Sequence, residues 1–186
     1  NQLADITIKL LYNPTLLKQM RMNALHKINP TSWQNAVISH LELAQKAGNT
    51  HQTLQYRLPE ISLDHIKRMT TPNGMIQFSK IDVPDLVSGY TLDDNARALI
   101  ALTKHYQLFG KAADLKLINI YLNFILFCQD EFGLFFNYVS QNGIYMENND
   151  DENLEDSNGR AIWALGEFLA VGHLFDKNMV EKAKHA

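Results

Sequence analysis

Asp93-Asp94-Asn95-Ala96-Arg97-Ala98-Leu99-Ile100-Ala101-Leu102 recurs later in the chain as Asp156-Ser157-Asn158-Gly159-Arg160-Ala161-Ile162-Trp163-Ala164-Leu165. Six of the ten positions are identical, giving the pattern Asp-x-Asn-small-Arg-Ala-x-x-Ala-Leu. Apolar residues at helical spacing behind acids that suit a helix N-terminus predict that each stretch opens a helix. The segments ahead of them also correspond: Gly74-Met75-Ile76 and Gly133-Leu134-Phe135 stand at nearly the same offset, each after a helical pattern. The repeating unit therefore reads helix, glycine turn, short apolar strand, polar loop, helix. A period of about 60 residues containing two helices means stacked helical hairpins, none of which buries its faces alone.

Outward from this repeat, helices are predicted over Ser62 to Met69, Leu92 to Leu108, Ala112 to Gln129 and Asn158 to Phe175. Thr71-Pro72-Asn73-Gly74 is a turn signal before a strand-like run from Met75 to Phe78. Gln141-Asn142-Gly143 is the expected turn of a hairpin joining Leu134 to Val139 with Ile144-Tyr145-Met146. Leu115 to Phe127 is apolar almost all round, the mark of a helix covered on several sides. Towards the N-terminus, Leu3 to Leu11, a segment from Pro14 to near Asn29-Pro30, and a third starting at Thr31 or Ser32 read as three short helices. The polar stop from Lys46 to Thr50 sets a boundary, giving residues 1–46, a linker over 47–59, and 60–186. The fold class expected is all-α: hairpins of an incomplete α/α toroid with short β hairpins, preceded by three short helices. A closed ring of six hairpins needs about 360 residues, so about two of six are expected here.

Seventeen basic and 20 acidic residues give a formal charge of -3, which supplies no field for nucleic acid or anionic lipid. Lys116, Asn119 and Asn123 interrupt the longest apolar run, which is shorter than the ~20 residues that span a bilayer. Cys128 is the single cysteine; it forbids an internal disulfide and fits a reducing compartment, so a cytoplasmic location is the default expectation. The opening Asn1-Gln2-Leu3-Ala4-Asp5 carries no Met or leader pattern, and the start of the polypeptide is expected upstream.

Residues 1–46 resemble the C-terminal tail of retaining GT-B glycosyltransferases of the group 1 type. The likeness rests on Asn13 to Leu16 as an Asn-Pro-x-Leu turn, Met20 to Ala24 as Met-x-x-Asn-Ala, and Ser32-Trp33 opening the last helix. That family's donor-binding loops and Glu-x7-Glu motif would lie upstream of residue 1, so no catalytic residue carries over. Ser88 to Ala98 and Glu155 to Ala161 look like the helix starts of six-hairpin α/α toroids of carbohydrate-active proteins, including domains appended to bacterial glycosyltransferases. The resemblance implies a glycan-facing cavity and a glycosyltransferase parent.

Asp93 with Arg97, and Asp156 with Arg160, are i,i+4 pairs in the favourable order at helix N-termini, and Thr91-x-x-Asp94 fits a capping box, so a structural role alone explains them. The alternative is that carboxylates at neighbouring helix mouths meet a sugar. The glycan-binding candidates are Tyr90, Asp93, Asp94, Asn95, Arg97, Glu155, Asp156, Asn158 and Arg160. A hydrolase would use Asp94 with Glu155 or Asp156 as its carboxylate pair. A non-catalytic helical scaffold is the third expectation. Tyr90 is the aromatic expected to stack on a sugar, ahead of Trp163, Phe135 and Tyr138. Six of the ten residues from Glu147 to Asp156 are acidic, but they lack the central glycine of a calcium loop. The seven histidines show no zinc spacing. No metal or cofactor is expected, the partner expected is a glycan, and unpaired apolar faces at the open end of the stack predict either self-association or coverage by residues 1–46 folded back over them.

Overall fold

The computed structural model describes residues 2–48 and 59–186. The fold is mainly helical, with short antiparallel strand pairs inserted between the helices. It divides into two compact units, Asn1–Pro59 and Glu60–Ala186. Most of the expected linker, residues 49–58, lies outside the described residues. No helix among the described residues is long and apolar enough to cross a membrane.

In the first unit, α1 spans Gln2–Leu11, α2 Pro14–Ile28 and α3 Trp33–Gly48. Asn13 caps α2, its side chain accepting from the Leu16 amide at 3.0 Å, and Pro14 stands where a missing N–H costs nothing. The Ser32 hydroxyl accepts from the backbone amide of Asn35 at 3.4 Å, and the Asn35 side chain donates to the Asn29 carbonyl at 2.7 Å. The apolar positions of all three helices are present, yet none of their described residues is buried. Leu3, Leu11, Leu25, Trp33 and Val37 all remain exposed. The three helices bury no described residue and so close no core among themselves.

The second unit holds the core. Helix α4 covers Asp64–Met69, α5 Leu92–Phe109, α6 Ala112–Phe127, α7 Asn148–Asp151, α8 Glu155–Ala170 and α9 Lys177–His185. Gly110 ends α5 in the left-handed region, its N–H returning to the Tyr106 carbonyl, and after Lys111 the chain turns back as α6. Leu92, Leu99, Leu102, Ile118, Tyr121, Leu122 and Ile125 of the two helices are fully buried in the common core. At the far end His105 Nδ1 lies 2.6 Å from Asp114 Oδ2, both buried, with the carboxylate in the first turn of α6. α8 packs on α5, and α9 on α8 and α6.

The strands are two residues each. β1 (Thr70–Thr71) pairs with β2 (Gly74–Met75), β3 (Ser79–Lys80) with β4 (Val83–Pro84), and β5 (Tyr90–Thr91) with β6 (Tyr138–Val139). The turn at Pro72-Asn73 is thus the tip of a β1–β2 hairpin, and the expected run from Met75 to Phe78 contracts to Gly74–Met75 plus a bridge from Ile76 to Tyr90. Around Gln141-Asn142-Gly143 the expected hairpin survives as a single bridge, Val139 to Tyr145. β6 takes β5 as its main partner instead, tying the second repeat's strand to the mouth of α5. α8 also begins at Glu155, ahead of Asn158, and stops at Ala170, followed by a 3-10 turn at Gly172–Leu174.

The β5–β6 pairing sets a steric requirement at Gly89, which has φ 68° and ψ -150°, a region open almost only to glycine, and whose missing Cβ would run into the Val139 carbonyl. Gly89→Ala is expected to destabilise the second unit by about 2 kcal/mol or more, read as a lower urea midpoint. Cys128 follows α6 in the core, and burial pushes its thiol up to about 12. A thiol reagent at pH 8 should leave the native protein unmodified and react fully after denaturation. Because the folded thiol holds its proton more tightly than the unfolded one, stability should fall as pH rises from about 9 towards 12.

Candidate functional site

The repeated asparagines do equivalent work. Asn95 accepts from the Met75 amide at 2.8 Å and donates to the Met75 carbonyl at 3.3 Å and to the Thr91 carbonyl at 2.8 Å. Asn158 accepts from the Phe135 amide at 2.9 Å and donates to the Phe135 carbonyl at 2.8 Å and to the Leu154 carbonyl at 2.9 Å. Each side chain presents to its strand the donor and acceptor that a neighbouring strand would offer. These bonds also correct the register of the repeat: Met75 corresponds to Phe135, whereas alignment by glycine had set Ile76 against Phe135.

The repeated charges form a ladder. Arg97 pairs with Asp93 and, at 3.5 Å, with Asp94. Arg160 donates to Asp156 from Nε at 2.9 Å and holds it from Nη2 at 2.8 Å, while Nε also stands 2.8 Å from Asp93 Oδ1. The single N–H of Nε points to Asp156, so Asp93 Oδ1 is in ionic contact but has no hydrogen-bond donor. The bond to Asp156 and the nearby charge of Asp93 raise the pKa of Arg160. Farther along, Lys104 meets Glu167 at 2.7 Å, at the same offset in sequence that separates Asp93 from Asp156. A tie between the helix starts, Asp93 to Arg160, and another between the equivalent positions Lys104 and Glu167 show that α5 and α8 run side by side in the same direction.

Each predicted site residue has a definite place. Thr91 caps α5, accepting from the Asp94 amide at 3.3 Å and donating to the Asp94 carboxylate at 2.7 Å. Tyr90 is buried in β5: its ring lies 5.7 Å from that of Phe124 and its hydroxyl is 2.9 Å from the Thr71 hydroxyl. Only 4% of it is exposed, too little to offer a face to a sugar ring. Glu155 is exposed and lines a hollow of about 290 Å3 with Asp130, Phe135 and Asn158. The structure thus brings Asp93, Arg97, Asp156 and Arg160 together as one ionic cluster and places Tyr90 and Glu155 outside it.

In the acidic loop the inward residue is an amide. Asn149 accepts from the amides of Asn137 and Tyr138, both at 2.8 Å, and donates to the carbonyls of Tyr138 and Met146. Tyr138 donates its hydroxyl to Glu152, which raises the phenol's pKa. Among the described residues no three His, Cys, Asp or Glu side chains cluster as metal ligands do.

A larger cleft, about 440 Å3, opens between α6, the β1–β2 turn and the Gln141-Asn142-Gly143 turn. Asn73, Asn119, Asn123 and Asn142 line it with Phe127, Phe124 and the edge of Tyr90, and no charged side chain of the described residues does. Phe127 is 46% exposed and stands 5.3 Å from the Tyr145 ring, which keeps it in place. Sequence reading passed over these amides. Their signal was present: Asn119 and Asn123 lie four apart, on one stripe of a helix that is mostly apolar after Lys116. No protein-family model matches the chain, and no curated protein matches it.

Asn95→Ala leaves the part-buried Met75 amide without its acceptor and should cost about 1–3 kcal/mol. Asn158→Ala should cost less, since Asn158 is partly exposed while Asn95 is fully buried. Urea denaturation of the two variants tests the order.

Proposed function

We propose that Glu60–Ala186 is a glycan-handling helical-repeat domain appended to the C-terminal helical tail of a retaining GT-B glycosyltransferase. Sugar-nucleotide-dependent transfer belongs, in this reading, to an upstream part of the same cytoplasmic polypeptide. Support for the tail is the resemblance of residues 1–46. Support for glycan handling is one observation, the uncharged cleft of amides and aromatics beside α6.

The chemistry of that cleft suits sugars. A carboxamide offers two donors and an acceptor, matching hydroxyl groups that donate and accept at the same carbon. The exposed face of Phe127 suits the apolar C–H face of a pyranose, and orienting polar groups around an apolar wall are the usual make-up of a small-molecule site. With no charge in the lining, nothing repays the desolvation of a phosphate or a uronate, so the ligand is a neutral saccharide.

Binding is favoured over hydrolysis because the repeat's carboxylates are already engaged. Asp156 is held by Arg160, and Asp94 is held by Thr91 and Arg97. The scaffold reading draws on the charge ladder between repeats, and it is compatible with a binding cleft on the same domain.

Titration with a panel of neutral oligosaccharides, followed by amide chemical shifts, should move resonances of residues 119–127 and 141–143. Asn123→Ala and Phe127→Ala should each weaken binding about 5–10-fold with the fold intact, the worth of one neutral hydrogen bond or one stacked ring. Shifts with no saccharide of the panel, or binding unaltered in both variants, would remove the cleft from consideration.

A further inference from the structure

The dipeptide Asn-Gly occurs three times in the chain, at Asn73-Gly74, Asn142-Gly143 and Asn158-Gly159. It is the reactive setting for asparagine, because glycine has no side chain to keep its backbone nitrogen away from the carboxamide carbon of the residue before it. Attack closes a five-membered ring, so the freedom of the local backbone decides whether the two groups meet. The fold treats the three steps differently.

Asn158 lies inside α8, and its carboxamide is committed to the Phe135 amide, the Phe135 carbonyl and the Leu154 carbonyl. Asn73 is at the tip of the β1–β2 hairpin, where its backbone amide donates to the Thr71 hydroxyl at 3.2 Å. Gly74 beside it is buried in β2, receives the Thr71 hydroxyl on its carbonyl at 3.2 Å, and packs against Asn95 and Phe124. Both steps are locked. Asn142 and Gly143 are exposed, and a Cβ built on Gly143 meets nothing within 4 Å. The Gly143 amide makes one turn bond, to the Ser140 carbonyl at 3.0 Å, and the Asn142 carboxamide has no hydrogen-bond partner among the described residues.

We infer that Asn142 is a deamidation site, and that its conversion puts a carboxylate into the wall of the uncharged cleft beside α6. Hydroxide takes the Gly143 N–H proton, and the nitrogen attacks Cγ of Asn142. The bond from Cγ to Nδ2 breaks, and ammonia leaves with a proton returned by water, giving a succinimide. Water then opens one of the two imide bonds. Cleavage at Cγ gives aspartate, and cleavage at the main-chain carbonyl carbon gives isoaspartate, whose backbone runs through Cγ and is longer by one methylene. Either product brings a negative charge and removes the two donors of the amide. Isoaspartate also lengthens the turn leading to Tyr145, which donates to the Phe127 carbonyl at 2.6 Å and packs on the Phe127 ring. The modification is independent of what the cleft binds, whereas its effect on a neutral saccharide rests on the glycan reading.

Ageing of the full chain in warm, mildly alkaline buffer tests the inference, with digestion at acidic pH and mass spectrometry of the peptides. The Asn142 peptide should be the first to exchange NH2 for OH, as two chromatographic species, aspartate and isoaspartate. Each further hydrogen bond that has to open slows the attack by about fivefold, so Asn73 should lag by that factor or more. Asn158 should stay intact while the protein is folded, and in urea all three should convert at similar rates. Asn142 converting no faster than Asn158 in the folded chain overturns the inference, and so does the same order persisting in urea, which would place the cause in local sequence. Asn142→Gln keeps the amide but needs a less favourable six-membered ring, so it should not convert and should bind a saccharide from the panel as the wild type does. Asn142→Asp and the aged chain should bind it about 5–10-fold more weakly. Equal binding by Asn142→Asp overturns the effect on the cleft. A panel without any ligand removes the glycan reading and leaves the order of conversion to decide the modification.

Discussion

Met75 in β2 and Phe135, which forms a single bridge with Gln129, have backbone donors and acceptors that side chains must meet. Buried peptide groups must find partners, and in this protein a carboxamide supplies them. Asn95 closes on the backbone N–H and C=O of the strand residue Met75 and Asn158 on those of the bridge residue Phe135, and each also bonds a carbonyl at the start of its own helix. That single arrangement fixes the distance between strand and helix and the rotation of the helix about its axis, and with it which stripe faces the core. Gly74, directly before Met75, fits the same constraint: a Cβ there would stand 2.8 Å from Asn95 Oδ1.

Once both helices are oriented in this way, they lie parallel, and the acids and arginines around each asparagine are brought to the interface between repeats. Asp93 then serves two arginines, its own and that of the next repeat. Acids at a helix start are stabilised by the local backbone whatever else they do, so their presence alone does not mark a reaction centre. The uncharged stripe of Asn119 and Asn123 on α6 is a different kind of surface. Both amides are exposed at the cleft, where their donors and acceptors can meet a ligand.

The two units differ in how far they satisfy their own patterns. In the second, α5 lies between α6 and α8, and the side chains that meet there are fully buried. In the first, three helices carry apolar stripes that remain in the open. Capping and periodicity are local properties and form a helix, whereas burial needs a second layer. The same reasoning separates α5 from α8: their starts share six of ten residues, yet Leu99 and Ile100 are buried while their equivalents Ile162 and Trp163 are exposed.

Local information settled a good deal from sequence. Helix starts and stops followed from Asn13-Pro14, Thr91 and Gly110, because capping residues and left-handed glycines act within one turn of chain. The repeat was legible because six identical residues fall within ten consecutive positions at the start of a helix, and the mainly helical class followed from it. Tertiary structure alone decided the rest. β6 pairs with β5 from the far side of α5 and α6, between segments too short to carry a period of their own. The repeat register moved by one residue because a side-chain amide, and not the glycine, defines equivalence. Tyr90 stood in an apparent loop and proved to be core, since its partners Phe124 and Thr71 are distant in sequence. Whether an apolar stripe is covered or left open depends on what stands opposite it, and neither α5 nor α8 encodes that within its own sequence.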